Sequence, residues 1–217
     1  MNALTPPRAR LPIEVVFDLV CPWCFLGTRR LRRALRARPE IVADLMWRPF
    51  LLNPDQPASG REGFSRRSGG ADRTRRLHAT LAEMGRAEGV PFRFDLIHRT
   101  PPSLDAHRLV RLAARRGAAE EVVDRLFLAH FAEGADIADH ATLAGIGAAA
   151  GLDRAATRRF LSGEQEVDAV QAENLRAHRL GINGVPCFVL AGRHAIAGAQ
   201  EPEVLQRLLD VALVEAA

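Results

Sequence analysis

Lysine is absent from this chain of 217 residues, so all 30 of its Lys+Arg positions are arginine. A guanidinium does not lose its proton in a protein, so this positive charge is permanent. It is also dispersed: 26 acidic residues alternate with the arginines and the net charge is only +4. Neither the magnitude nor the pattern points to a nucleic-acid partner. Long apolar runs are missing too, and none approaches the ~20 residues that span a bilayer. The first ten residues carry two arginines and two prolines, with no signal-like apolar segment behind them. The stretch Ile13 to Leu26 is broken by Glu14 and Asp18. The expected compartment is therefore the cytoplasm, with no membrane partner. Cysteine is scarce: Cys21, Cys24 and Cys187 are too few for a disulfide framework.

What is present describes a folded chain. Hydrophobic residues make up 47% and charged residues 26%, a globular balance, and the length suits one domain or one domain with an insertion. Residues 13–20 are rich in β-branched and aromatic side chains and read as a buried strand. A helix follows over 25–38, stopped by Pro39. A second extended segment covers 41–52, and 53–70 reads as a long exposed loop. Helical periodicity then dominates, with helices expected over 71–88, 103–116, 119–132, 139–150, 153–162 and 164–180. Ser103, Asp139 and Asp153 stand where N-caps would. Beyond Gly181 come two short strands, 186–190 and 194–197, and a last helix over 201–214. The order is βαβ, a helical block, ββα. This gives an α/β fold in which 11–60 and 181–217 form one small domain and 61–180 a helical insertion domain.

Chemistry is concentrated in Cys21-Pro22-Trp23-Cys24, between the first strand and the first helix. A sulfur at a helix N-terminus meets unpaired backbone N–H groups and the positive end of the helix dipole, which favour the thiolate. The thiolate is the species that attacks a disulfide. Cys24, one turn further in, can attack the resulting mixed disulfide and release the product. Pro22 suits an early helical position, and Trp23 offers an apolar face beside the sulfur. Two other readings of the pair are inert thiols or half of a zinc site. A structural zinc needs four ligands, and no second Cys/His pair has metal spacing, so no metal is expected. Downstream, a proline opening a short strand after Gly184-Val185 suggests a cis Val185–Pro186 bond.

The run from Asp18-Leu19-Val20 through Cys-Pro-Trp-Cys to Phe25-Leu26-Gly27 resembles the DsbA-like thioredoxin-fold oxidoreductases. It is most similar to their cytosolic FrnE-type dithiol–disulfide isomerase branch. Further matching stretches are Trp47 to Pro54, Ala106-His107-Arg108-Leu109, Gly184-Val185-Pro186 and Gly198-Ala199-Gln200. The resemblance implies a thioredoxin-like fold with a helical insertion. It also implies Cys21 as nucleophile and Cys24 as resolving thiol. A cis Val185–Pro186 bond would face them, with Val185 offering backbone hydrogen bonds to substrate. The activity implied is thiol–disulfide exchange on a protein or small-molecule disulfide, through a redox-active dithiol without a bound cofactor, with glutathione as a candidate co-substrate.

Three further residues carry paired readings. Asp18 is either a buried carboxylate that exchanges protons with Cys24 or tunes Cys21, or a capping aspartate beside the helix start. His107 either faces the active-site cleft or serves packing. Cys187 stands where relatives usually carry an apolar or aromatic residue; it either approaches the dithiol or is a small buried hydrophobe. The arginines from Arg61 to Arg76 form a solvated face or an anion site. Two other functions compete. One is a glutathione-dependent isomerase or transferase like the 2-hydroxychromene-2-carboxylate isomerases and kappa-class transferases, which typically carry serine first in the motif and lack the second cysteine. The other is a peptide-binding or chaperone module without catalysis.

Overall fold

The computed structural model describes residues 9–57, 61–62 and 71–216. Its main sheet has four strands in the order β2-β1-β5-β6. Strand β1 (Ala9–Phe17) runs parallel to β2 (Ile41–Pro49) and antiparallel to β5 (Cys187–Leu190), and β5 pairs antiparallel with β6 (His194–Ala197). Helix α1 (Pro22–Arg36) is the crossover between the parallel strands, as a parallel pair requires. The chain is thus an α/β thioredoxin-like fold built in the expected order.

Between β2 and β5 lie α2 (Ala71–Ala87), α3 (Leu104–Ala114), α4 (Ala119–Phe131), α5 (His140–Ala149), α6 (Arg154–Ser162) and α7 (Val167–Arg179). Helix α8 (Pro202–Ala216) closes the chain. Asp139 and Asp153 cap α5 and α6 through the amides of Thr142 and Ala156, whereas Ser103 stands at the start of α3 without a side-chain cap bond. Helix α7 starts three residues later than the periodicity suggests, because Glu166 before it adopts a left-handed backbone, φ 68°. A two-residue ladder pairs β3 (Arg61–Glu62) with β4 (Arg99–Thr100) inside the stretch expected to be loop. The rest of that stretch from 58 to 70, including Arg66 and Arg67, lies outside the described residues. Of the other arginines between 61 and 76, Arg73, Arg75 and Arg76 lie on α2 and are exposed, and Arg75 pairs with Asp72.

The first strand begins at Ala9 rather than residue 13, β5 begins at Cys187 rather than 186, and the C-terminal ends of the first two strands also differ from the sequence reading. The first strand ends at Phe17 rather than residue 20, because Asp18 makes a turn: its carboxylate accepts the Val20 N–H and its carbonyl the Cys21 N–H. The second ends at Pro49 rather than 52, because the next amides leave the ladder. Phe50 N–H donates to Phe17 O, Leu51 N–H to the Asn174 side chain and Leu52 N–H to Asp18.

Side chains alternate across the sheet and divide the core. Leu11, Ile13, Val15, Phe17 and Phe188 face the large cluster. There Phe25 of α1 stacks on Phe127 of α4 at 5.1 Å, and Phe17 meets the edge of Phe127 at 6.2 Å. Val16 and Cys187, paired in register, face the other way and pack with Phe50 and with Ala177 of α7. No described helix is long and apolar enough to cross a membrane.

Candidate active site

Cys21 is the N-cap of α1, with extended backbone angles and Pro22 next. Its carbonyl accepts the N–H of Cys24 at 3.0 Å and of Phe25 at 3.3 Å, which winds the first turn directly onto the motif. All three cysteines are free thiols, so this is the dithiol form. Cys21 retains 4% exposure and Cys24 none, while Trp23 is half-buried at the rim. Burial pushes the Cys24 thiol well above the ordinary thiol range; its hydrogen bond to Cys21 and the nearby Cys21 and Asp18 charges act in the same direction. The Cys24 proton is therefore held tightly.

The Cys21 thiol donates to the Val185 carbonyl at 3.6 Å across 164 residues. The Val185–Pro186 bond is cis. Pro186 seats on α1 at Gly27, where a Cβ would lie 2.8 Å from Pro186 Cγ and 3.3 Å from the Phe188 ring. Only glycine lets the proline approach so closely. The Pro186 carbonyl accepts the Gly198 N–H at 2.7 Å, and the Ala199 carbonyl accepts from Arg30 of α1 at 2.6 Å. Arg30 is itself almost wholly buried and pairs with Glu88 and Glu201. Gly27 and Arg30 thus fasten the proline segment to the cysteine helix. Neither was singled out as a site residue from the sequence. A glycine three residues beyond Cys24, on the same helical face, was the available signal for Gly27; nothing marks Arg30 among 30 arginines.

The structure brings Asp18 and His107 together beneath the dithiol. Both are fully buried, with His107 Nε2 3.5 Å from Asp18 Oδ1. Cys187 is not part of this assembly: it lies on the far face of the sheet among apolar side chains, and burial raises its thiol. Among the described residues no group of three His, Cys, Asp or Glu side chains is placed to hold a metal.

A model of the DSBA-like thioredoxin domain matches residues 12–210. The chain belongs to the DSBA-like thioredoxin domain family. A probable DsbA oxidoreductase from Streptomyces coelicolor has a structure similar to this DSBA-like chain. Its TM-score is 0.85 at 29% identity, covering 94% of this chain and 91% of that one. The cytosolic disulfide reductase DsbM from Pseudomonas aeruginosa, solved with GSH, aligns with a TM-score of 0.63 at 23% identity, over 93% and 98% of the two chains. An uncharacterized protein of Bacillus subtilis, YwbO, is 26% identical over 199 residues, 91% of this chain and 94% of its own.

One buried histidine of this DSBA-like domain makes stability acid-sensitive. His130 of α4 is held down to about 4 by burial, against 6.5 for a free histidine. As pH falls through that window the unfolded chain takes up a proton that the folded one refuses, so stability declines, by up to about 3 kcal/mol. Urea unfolding near pH 7 and near pH 4.5 measures this, and His130→Leu is expected to flatten the decline.

Proposed function

We propose that the protein is a dithiol–disulfide oxidoreductase that reduces or isomerises disulfides of proteins or small thiols. The observation that carries this reading is the Cys21 sulfur at the N-cap of α1, hydrogen-bonded to the carbonyl preceding Pro186, with Cys24 buried one turn deeper. Cys21 acts as the nucleophile. An incoming extended chain or thiol lies against Pro22, Trp23 and the Val185–Pro186 segment, displacing the Cys21 thiol from the Val185 carbonyl. Cys24 then attacks Cys21 and releases the reduced product. Asp18, whose charge reaches Cys24, tunes the release step.

In a reducing cytoplasm the resting state is the dithiol, which favours reduction and isomerisation over net oxidation. Oxidised enzyme returns to that state by exchange with a thiol co-substrate. The likeness to DsbM, a cytosolic disulfide reductase solved with GSH, supports glutathione in that role and the cytoplasm as the setting. The presence of both Cys21 and Cys24 favours this reading over a glutathione-dependent isomerase or transferase. The test is insulin disulfide reduction with glutathione as reductant, run beside a glutathione-conjugation assay. The first proceeds and the second is silent. A Cys21→Ser, Cys24→Ser double variant loses the reduction. Full reduction by that variant sinks the proposal.

A further inference from the structure

Release of product by Cys24 requires its proton to leave, and the thiol is buried where water does not reach it. Asp18 lies nearby, fully buried in the turn between β1 and α1. Its carboxylate accepts two backbone N–H groups, Val20 at 3.3 Å and Leu52 at 2.8 Å. Two donors leave a carboxylate with about four acceptor sites under-satisfied, and an isolated buried charge is costly. Among the described residues the one side chain within ion-pair distance is His107 of α3, at 3.5 Å. His107 is also fully buried, its ring edge-on to Phe17 at 5.0 Å, and neither ring nitrogen has a hydrogen-bond partner. A buried imidazole with two unused nitrogens calls for a function.

The surrounding ionisable groups leave that role to His107. On its own helix, Arg108 turns away to carbonyls of the α6 end, and Asp105 is engaged by Arg108 and His140. From α4, His130 is kept neutral above about pH 4. From α1 comes Cys24 itself, which feels the Asp18 charge.

Building on the oxidoreductase reading, we propose that Asp18 and His107 hold the Cys24 proton as one pair, His107 being a positioning residue that works through the Asp18 carboxylate. Cys21 first gives its proton to solvent and its thiolate opens the substrate disulfide, bonding one substrate sulfur and expelling the other as a thiolate. Cys24 then passes its proton to the pair, and its sulfur forms the bond to Cys21. The bond between Cys21 and the substrate sulfur breaks, and its electrons leave on a second thiolate. Solvent protonates both thiolates. The substrate has gained two electrons and the enzyme dithiol has lost them. When a thiol co-substrate such as glutathione reduces the enzyme, the pair returns the proton to Cys24. The pair thus cycles between one net negative charge and none, and a proton can rest on imidazole rather than on an unpaired buried carboxylate.

The test is His107→Asn, which keeps a donor toward Asp18 but cannot take up a proton. A mixed disulfide is formed on Cys21 with a small aromatic disulfide, and its resolution by Cys24 is followed by rapid mixing between pH 5 and 9. The variant is expected to resolve it at least about tenfold more slowly near pH 7, and its pH profile loses one ionisation. The first attack by Cys21, measured in a Cys24→Ala background, keeps its rate. Unchanged resolution and profile overturn the proposal. In the unsubstituted protein, ring-nitrogen NMR provides a readout that does not depend on a variant folding. The His107 ring-nitrogen signals at pH 7 differ between dithiol and disulfide forms, and identical signals overturn the proposal. Failure to form any mixed disulfide overturns the oxidoreductase reading with it, whereas normal formation with normal resolution in His107→Asn overturns this inference alone.

Discussion

A Cys24→Ala variant is expected to stop half-way, with substrate bound covalently to Cys21. The expectation follows from the division of labour between the two sulfurs. Cys21 begins the helix, has some exposure and faces the Val185 carbonyl. Cys24 is sealed beneath it, where burial favours the protonated thiol. Removing the deeper sulfur leaves the first attack possible and the intramolecular release impossible. Turnover of insulin disulfides is expected to fall by at least about a thousandfold. Intact-mass spectrometry without reductant should find an adduct on Cys21 that dithiothreitol removes. A Cys24→Ala protein that turns over normally and carries no adduct would remove the basis for assigning Cys24 the releasing role. Proteins or thiols recovered from the adduct would identify the physiological substrate.

The largest stability effect is expected at Arg108, beside His107 on α3. Its guanidinium is 2% exposed and uses all five N–H groups. Nε donates to Gln165 O, one terminal nitrogen to Asp105 and Leu161 O, and the other to Phe160 O and Gly163 O. These carbonyls lie at and just beyond the C-terminal end of α6, where a helix leaves carbonyls unbonded. Arg108→Leu would take the side-chain donor from the carbonyls of Leu161, Gly163 and Gln165, leave Phe160 O with the Gly163 N–H alone, and leave Asp105 with His140 alone. The cost is about 4 kcal/mol, from the general effect of removing one member of a buried polar network. For a chain of this size that lowers Tm by about 10 °C. Arg108→Lys should recover little, because an ammonium with three donors does not reproduce the planar fork. Thermal melts of the three proteins check both statements; an Arg108→Leu melt within a degree or two of the unsubstituted protein would contradict the assignment.

Much of the architecture was legible because local signals and tertiary structure agree. The helices over 71–88, 119–132 and 139–150 were placed by spacing and turn residues to within a residue or two of α2, α4 and α5. The strand over 194–197 coincides with β6. The discrepancies arose where a distant partner overrode local preference. Phe50, Leu51 and Leu52 look like strand, but their amides are taken by Phe17, Asn174 and Asp18. Glu166 sits in an unusual backbone conformation, its carboxylate held by Arg111 and Arg115, a contact no local pattern reveals. For the candidate site, Cys21, Cys24 and Pro186 announce themselves by spacing and neighbours. The Asp18–His107 contact joins positions 89 apart and could be only a pair of alternatives until the fold closed the distance.

The placement of the third cysteine bears on the electron count of the proposed exchange. Val16 and Cys187 form one rung of the ladder between β1 and β5 and project from the side opposite Phe188, into the layer beneath α7. The sheet thus separates that thiol from the pair at α1. An exchange of the proposed kind would run through Cys21 and Cys24 alone, moving electrons in twos with no third sulfur to divert them.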